Sequence, residues 1–200
     1  MIEYLATQRV EEVMKKKGYV FFTKSDYNLN IIGVRSEVQR ANSFDDHILC
    51  IYKRNGIWKF EEYNATTDCG SYWLSNPMRR SGSALLVPNQ YRGVYKLDKH
   101  NGKYTALCQR LGEVEVFRDN NKDQILDYDP STIEKGMFGI NIHRSNPSRE
   151  SKRVDKWSAG CQVFANPSHY NQFIRLCEKS ASIWGNSFTY TLLNINDFKI

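Results

Sequence analysis

Cys161 and His143 stand eighteen positions apart in the segment Gly139–Ala165, GINIHRSNPSRESKRVDKWSAGCQVFA. An apolar run leads into the histidine, Gln162-Val163-Phe164 follows the cysteine, and a polar, basic loop lies between. A histidine leaving one strand and a cysteine beginning another can meet across such a loop. A free thiol ionises near pH 8.5, so little nucleophilic thiolate exists at neutral pH. A neighbouring imidazole takes the proton or holds the thiolate as an ion pair. Cys161 is therefore the candidate nucleophile and His143 its base. Gly160, lacking Cβ, permits a sharp turn and a close approach of substrate to the backbone. N–H groups around Gly160 and Cys161 are expected to face a developing oxyanion, a contribution of ~3 kcal/mol or more. Ser158 offers a hydroxyl that orients a neighbour or binds substrate. Composition alone favours a blander assignment, because most cysteines are small buried hydrophobes.

The elements that must hold this segment are mostly strands. Leu5, Val10, Val13 and Met14 give a loose helical pattern over residues 1–18, closed by Gly18. Tyr19–Phe22 and Leu29–Arg35 read as strands, and residues 36–46 as a loop. Two apolar, aromatic runs, His47–Tyr52 and Trp58–Tyr63, flank Asn55-Gly56, a strong hairpin signal. Ser71–Leu74, Ala84–Val87, Tyr91–Tyr95, Tyr104–Gln109 and Val114–Phe117 continue the β pattern. Pro167–Ser182 reads as a helix with Asn166 or Ser168 at its start and Gly185 at its end, and Phe188–Ile195 closes the chain as a strand. The expectation is a single β-dominated α+β domain, with an N-terminal helix (1–18), a β-rich body (19–200) and one helix after the cysteine.

Twenty-eight basic against 22 acidic residues give a net charge of +6, which favours an anionic surface or polymer. Lys15-Lys16-Lys17 is the densest basic cluster and suits a helix C-terminus, so nothing calls for nucleic acid. No apolar run approaches the ~20 residues that span a bilayer. The N-terminus lacks the basic and apolar regions of a secretory signal. The expected location is synthesis in the cytoplasm, with release by another route. Five scattered cysteines (Cys50, Cys69, Cys108, Cys161, Cys177) suggest neither a disulfide scaffold nor a structural zinc; four read as core.

His143, a gap of fourteen residues, then Ser158-Ala159-Gly160-Cys161 resembles the signature of the L,D-transpeptidase (YkuD-like) catalytic domain. Weaker similarities lie at Ala65–Asp68 and Leu86–Tyr91, so the resemblance covers roughly residues 48–164. It implies a β-sandwich-like domain with the cysteine on a strand edge beside a cleft. It also implies cysteine-dependent acyl transfer on peptidoglycan stem peptides, as transpeptidase or as L,D-endo- or carboxypeptidase, needing no cofactor. The family commonly has an arginine two positions after the cysteine, where Val163 stands, and a glycine after the histidine, where Arg144 stands. Arg144 is a candidate for the missing positive charge, with Trp157, Ala159 and Gln162 as further substrate contacts. A phage-encoded relative that remodels the wall fits the absence of a signal. The alternative is a non-catalytic wall-binding or virion structural module that keeps the fold.

Two other features remain. Asp119, Asn121, Asp123 and Asp127 place oxygen ligands at alternate positions, a partial match to a Ca²⁺ loop. Gln124 replaces its glycine and Pro130 its last acid, and a polar turn explains the same residues without metal. The aromatics Trp58, Tyr63, Tyr72, Trp73, Tyr91 and Tyr95 read mainly as core, whereas Trp157 is expected as a cleft wall. His47, His100 and His169 read as surface or satisfied residues.

Overall fold

The computed structural model describes residues 2–199, with side chains from residue 6 onward. The chain forms a β-dominated α+β fold. The first helix, α1 (Ile2–Lys16), is followed by Gly18 at φ 73°, the left-handed conformation that suits a helix end. Val10, Val13 and Met14 are buried as the pattern required; the Leu5 side chain lies outside the described residues.

Eight strands close into a barrel. In spatial order they are β1 (Asn30–Arg35), β11 (Phe188–Asn194), β5 (Gln90–His100), β6 (Tyr104–Gln109), β9 (Ile142–Arg144), β10 (Gln162–Phe164), β3 (Ile57–Thr66) and β2 (Asp46–Arg54). A second sheet of β4 (Ser83–Leu86), β7 (Val114–Asp119) and β8 (Glu134–Gly136) packs beside it. The Asn-Gly hairpin forms as the sequence indicates: Asn55 and Gly56 take φ of 52° and 73°, and Arg54 pairs with Ile57.

Alternation decides what each strand buries. Ile31, Ile48, Cys50, Tyr95, Leu107, Ile142, Phe164, Tyr190 and Leu192 fill the barrel, and Ala84, Leu86, Val114 and Val116 of the second sheet join them. Residues of opposite parity, Ile32, Val34, Leu49, Ile51 and Leu193, lie under α1. The helix after the cysteine, α3 (Pro167–Trp184), adds Tyr170, Phe173, Ile174 and Cys177 to the barrel cluster. Asn166 caps it, its side chain accepting from the N–H groups of Ser168 and His169.

Three expectations change. Tyr19–Phe22 is not a strand, because side-chain amides take its backbone: Asn30 bonds both N–H and C=O of Phe22, and Gln90 does the same for Val20. Ser71–Ser75 is a short helix, α2, whose Leu74 reaches an apolar cluster with Leu85, Phe117 and Leu126. The principal sheet closes on itself where the family resemblance implied a sandwich.

Candidate active site

Strands β9 and β10 run parallel as neighbours, pairing Ile142 with Gln162 and His143 with Val163. Ile142 and Phe164 point into the barrel, so alternation turns Asn141, His143 and Cys161 to its outer face. Parallel pairing of two strands joined by one long loop thus brings the histidine and the cysteine together. Cys161 precedes β10, which is flanked on both sides by β9 and β3, so it does not lie on a sheet edge. Its Sγ lies 3.4 Å from the Asn141 N–H donor and 3.5 Å from the Gly139 carbonyl, which accepts the thiol proton. Cys161 is partly exposed, whereas Cys50, Cys69, Cys108 and Cys177 are buried, as expected of core residues.

His143 is held by its Nδ1 edge. That nitrogen lies 2.8 Å from the Arg144 carbonyl, which can only accept, so Nδ1 carries the proton and Nε2 keeps the lone pair. The Tyr104 hydroxyl sits 3.2 Å from the same nitrogen. Burial, reinforced by His100, pushes His143 down to about 3, and burial pushes the Cys161 thiol up to about 11. The resting pair is neutral thiol and neutral imidazole, with no hydrogen bond between them among the described residues. Such a pair holds no standing thiolate and can attack only with general base assistance.

The turn before the cysteine is built differently from the expectation. Ser158 is fully buried; its Oγ accepts from the Gly160 N–H at 3.1 Å and donates to the Cys161 carbonyl at 2.8 Å. It holds the backbone of Gly160 and Cys161 and, being fully buried, does not face the cavity. The Gly160 N–H is therefore occupied, whereas the Cys161 N–H donates to no group among the described residues. Gly160 adopts φ 117°, and a Cβ there would lie 2.4 Å from the Ala84 carbonyl. The missing side chain makes room for strand β4, not for substrate. Gln162 points into the barrel, where Tyr190 donates to its Oε1 at 2.7 Å. It is fully buried and cannot contact a substrate, because alternation sends it away from the face that carries Cys161.

Gln109 was not singled out by any motif, yet it shapes the site. Its buried Oε1 accepts from the N–H groups of Phe138, Gly139 and Ile140. Its own N–H donates to the Asn141 side-chain oxygen at 2.9 Å. One glutamine thereby fixes the backbone that presents the Gly139 carbonyl and the Asn141 N–H to sulfur. No local sequence signal marks it, since its partners lie about thirty residues away.

A cavity of about 410 Å³ opens over Cys161 and His143, walled by His100, Arg110, Lys156, Trp157 and Ala159 among others. Trp157 is thus the expected wall, and Ala159 lies beside the nucleophile. A second hollow continues from it past Met78 and Phe138 to Arg79 and Arg118. Arg144 lies beside His143 in a third, its guanidinium 4.1 Å from the centre of the Tyr104 ring. No acidic side chain lines any of these three hollows among the described residues. Val163 is fully buried and takes no part in the cavity. Of the aromatics, Tyr63, Tyr91 and Tyr95 are core, Trp58 packs against the α1 cluster, Trp73 lines the cavity and Tyr72 is exposed.

In the Asp/Asn loop the side chains serve the loop itself. The Asn121 amide donates to Asp123 and Asp127, and Asp119 accepts from the Asp127 N–H. Among the described residues no three His, Cys, Asp or Glu side chains form a group able to hold a metal ion. No helix among them is long and apolar enough to cross a membrane. No protein-family model, curated protein or solved structure matches the chain.

Proposed function

We propose that the protein is a cysteine acyl-transfer enzyme of L,D-transpeptidase type acting on peptidoglycan stem peptides. The observation that carries this reading is the 2.8 Å approach of His143 Nδ1 to the Arg144 carbonyl, which assigns the ring proton to Nδ1 and leaves Nε2 as the base of a residue that shares one cavity with Cys161. His143 Nε2 takes the thiol proton as sulfur attacks the carbonyl carbon, and the C–S bond forms while the oxyanion meets the Cys161 N–H. Collapse breaks the C–N bond, and His143 returns the proton to the leaving amine. An incoming amine or water then gives its proton to His143 and attacks the thioester; the C–S bond breaks and His143 returns the proton to the departing sulfur. The surplus of cations around the cavity suits a donor or acceptor peptide that carries free carboxylates.

The experiment is mass spectrometry of purified muropeptides incubated with the wild type, Cys161→Ala and His143→Ala. Each variant is expected to remain folded and to lose turnover by on the order of 10³-fold or more. Turnover that survives in Cys161→Ala sinks the reading. The second reading, a wall-binding or virion module without activity, is favoured by the resting thiol at about 11 and its bond to the Gly139 carbonyl. It predicts no turnover by wild type and equal sedimentation with sacculi by wild type and Cys161→Ala.

A further inference from the structure

We propose that His100 is a positioning residue for His143: it stacks on the base, must itself be neutral for the base to accept a proton, and sets the acid limit of the reaction. The inference rests on the reading above, in which His143 receives the thiol proton. His100 ends β5, and the turn through Asn101 and Gly102, at φ of 49° and 70°, sets it directly opposite Tyr104 on β6. The tip of this hairpin clasps the base on two sides. Tyr104 meets the Nδ1 edge of His143, and the His100 ring lies on its face with centroids 4.1 Å apart and planes at 23°.

Hydrogen-bond donors fix the tautomer of His100. The Gln109 N–H can only donate, so the Asn141 side chain must face it with oxygen and turn its NH₂ elsewhere. That NH₂ lies 3.0 Å from His100 Nδ1, which is therefore the acceptor nitrogen. The ring proton then sits on Nε2, where the Asn101 amide nitrogen lies 3.1 Å away and accepts that proton only with the oxygen and nitrogen of the amide exchanged. The same Asn141 donates its backbone N–H to the Cys161 sulfur. The two stacked histidines thus hold opposite tautomers, His143 with its lone pair on Nε2 and His100 with its lone pair on Nδ1.

A second proton on His100 would set a donor against the Asn141 NH₂ and a cation one ring stack from His143. The charged and titratable groups facing the pair are Arg144 on β9, Tyr104 on β6, Arg110 after it, Lys103 in the hairpin, Lys156 in the long loop and Cys161. None supplies a negative charge at neutral pH, and Asp98 on β5 is paired with Arg110 at 3.0 Å. Burial, Arg110 and Arg144 all act to keep His100 neutral. An imidazolium forming on His143 during attack is compatible only with that neutral neighbour.

The test has two arms. Long-range ¹⁵N–¹H spectra of histidine-labelled protein at pH 7.5 are expected to show His100 as the Nε2–H and His143 as the Nδ1–H tautomer. A mixed population or the Nδ1–H form at His100 overturns the proposal, whether or not the protein turns over muropeptides. In the second arm, His100→Ala is expected to lower kcat by about tenfold or more with KM within about threefold, as loss of base orientation does. His100→Phe, which keeps a ring but cannot protonate, is expected to recover much of that loss. It should also move the acid limb of kcat/KM down by about half a pH unit or more, since the limb then follows protonation of His143 and no longer that of His100. An acid limb unchanged in His100→Phe overturns the proposal. Should the wild type act on no muropeptide, the acylation reading fails, and the coupling is read instead from the His143 titration in the same spectra, which is expected to move up in His100→Phe as the like charge is removed; an unmoved titration overturns the proposal.

Discussion

Gly160 is where the chemistry of a single residue sets the position of Cys161. Its φ of 117° lies in a region L side chains rarely adopt, and any Cβ would meet backbone, the Ala84 carbonyl at 2.4 Å. Neither conflict can relax by turning a side chain. Gly160→Ala is therefore expected to cost about 2–4 kcal/mol, read as a fall in the urea midpoint at constant slope. Ser158→Ala acts more gently, releasing one buried N–H and one C=O for a cost of about 1–3 kcal/mol. A Gly160→Ala protein as stable as wild type would show that the turn is not built as described. At this scale the spacing of His143 and Cys161 predicts two side chains that the fold brings to one cavity, and not what surrounds them. His143, Ser158, Gly160 and Cys161 were identifiable because their spacing is itself a pattern. Gln109, Asn141 and His100 were not, because an amide or imidazole acquires its role from partners thirty or forty positions away. Gln162 differs from expectation for a simpler reason: position next to Cys161 says nothing about which face of a strand a side chain takes.

Among the elements, strands and helices with strong local signals form where the residues place them. The Asn55-Gly56 hairpin and the helix between Asn166 and Gly185 are examples. Tyr19–Phe22 is the informative failure. Its composition is that of a strand, yet its backbone is satisfied by two side-chain amides, and nothing local distinguishes that outcome from ladder pairing. Asn30 is the more consequential of the two, since it is buried and also donates to the Ile51 carbonyl at 3.1 Å. Asn30→Ala is expected to speed hydrogen exchange of the Phe22 amide by about tenfold or more while the Ile32 amide changes much less. Equal acceleration at both would mean that Asn30 supports the barrel as a whole and not this segment. Barrel closure was also beyond local reading. Inside the barrel, Gly33 leaves room for the Tyr190 hydroxyl, with which a Cβ would collide, and that tyrosine crosses the barrel to reach Gln162 behind Cys161.

The whole molecule should register these buried groups in its stability against pH. His143 titrates near 6.5 when unfolded and at about 3 when folded. Between those values the unfolded chain binds the extra proton, so stability from this residue is complete above about pH 6.5 and is lost as the pH falls towards 3. The slope is at most about 1.4 kcal/mol per pH unit. Asp68 works in the opposite direction. Burial raises it to about 7 although Arg35 lies 2.9 Å away, so the folded state holds the extra proton between about 7 and the unfolded value near 4. The two contributions oppose each other across roughly pH 4 to 6.5, and the wild-type profile alone cannot separate them. His143→Gln removes one of them and keeps a polar side chain in the same place. The difference in unfolding free energy between this variant and wild type is expected to shift in the variant's favour as the pH drops below about 6.5. Chemical denaturation at pH 7.5, 6, 5 and 4.5 measures it directly. A difference independent of pH would mean that His143 accepts protons in the folded protein as readily as in the unfolded one. The site would then hold an accessible imidazolium in place of a buried neutral base.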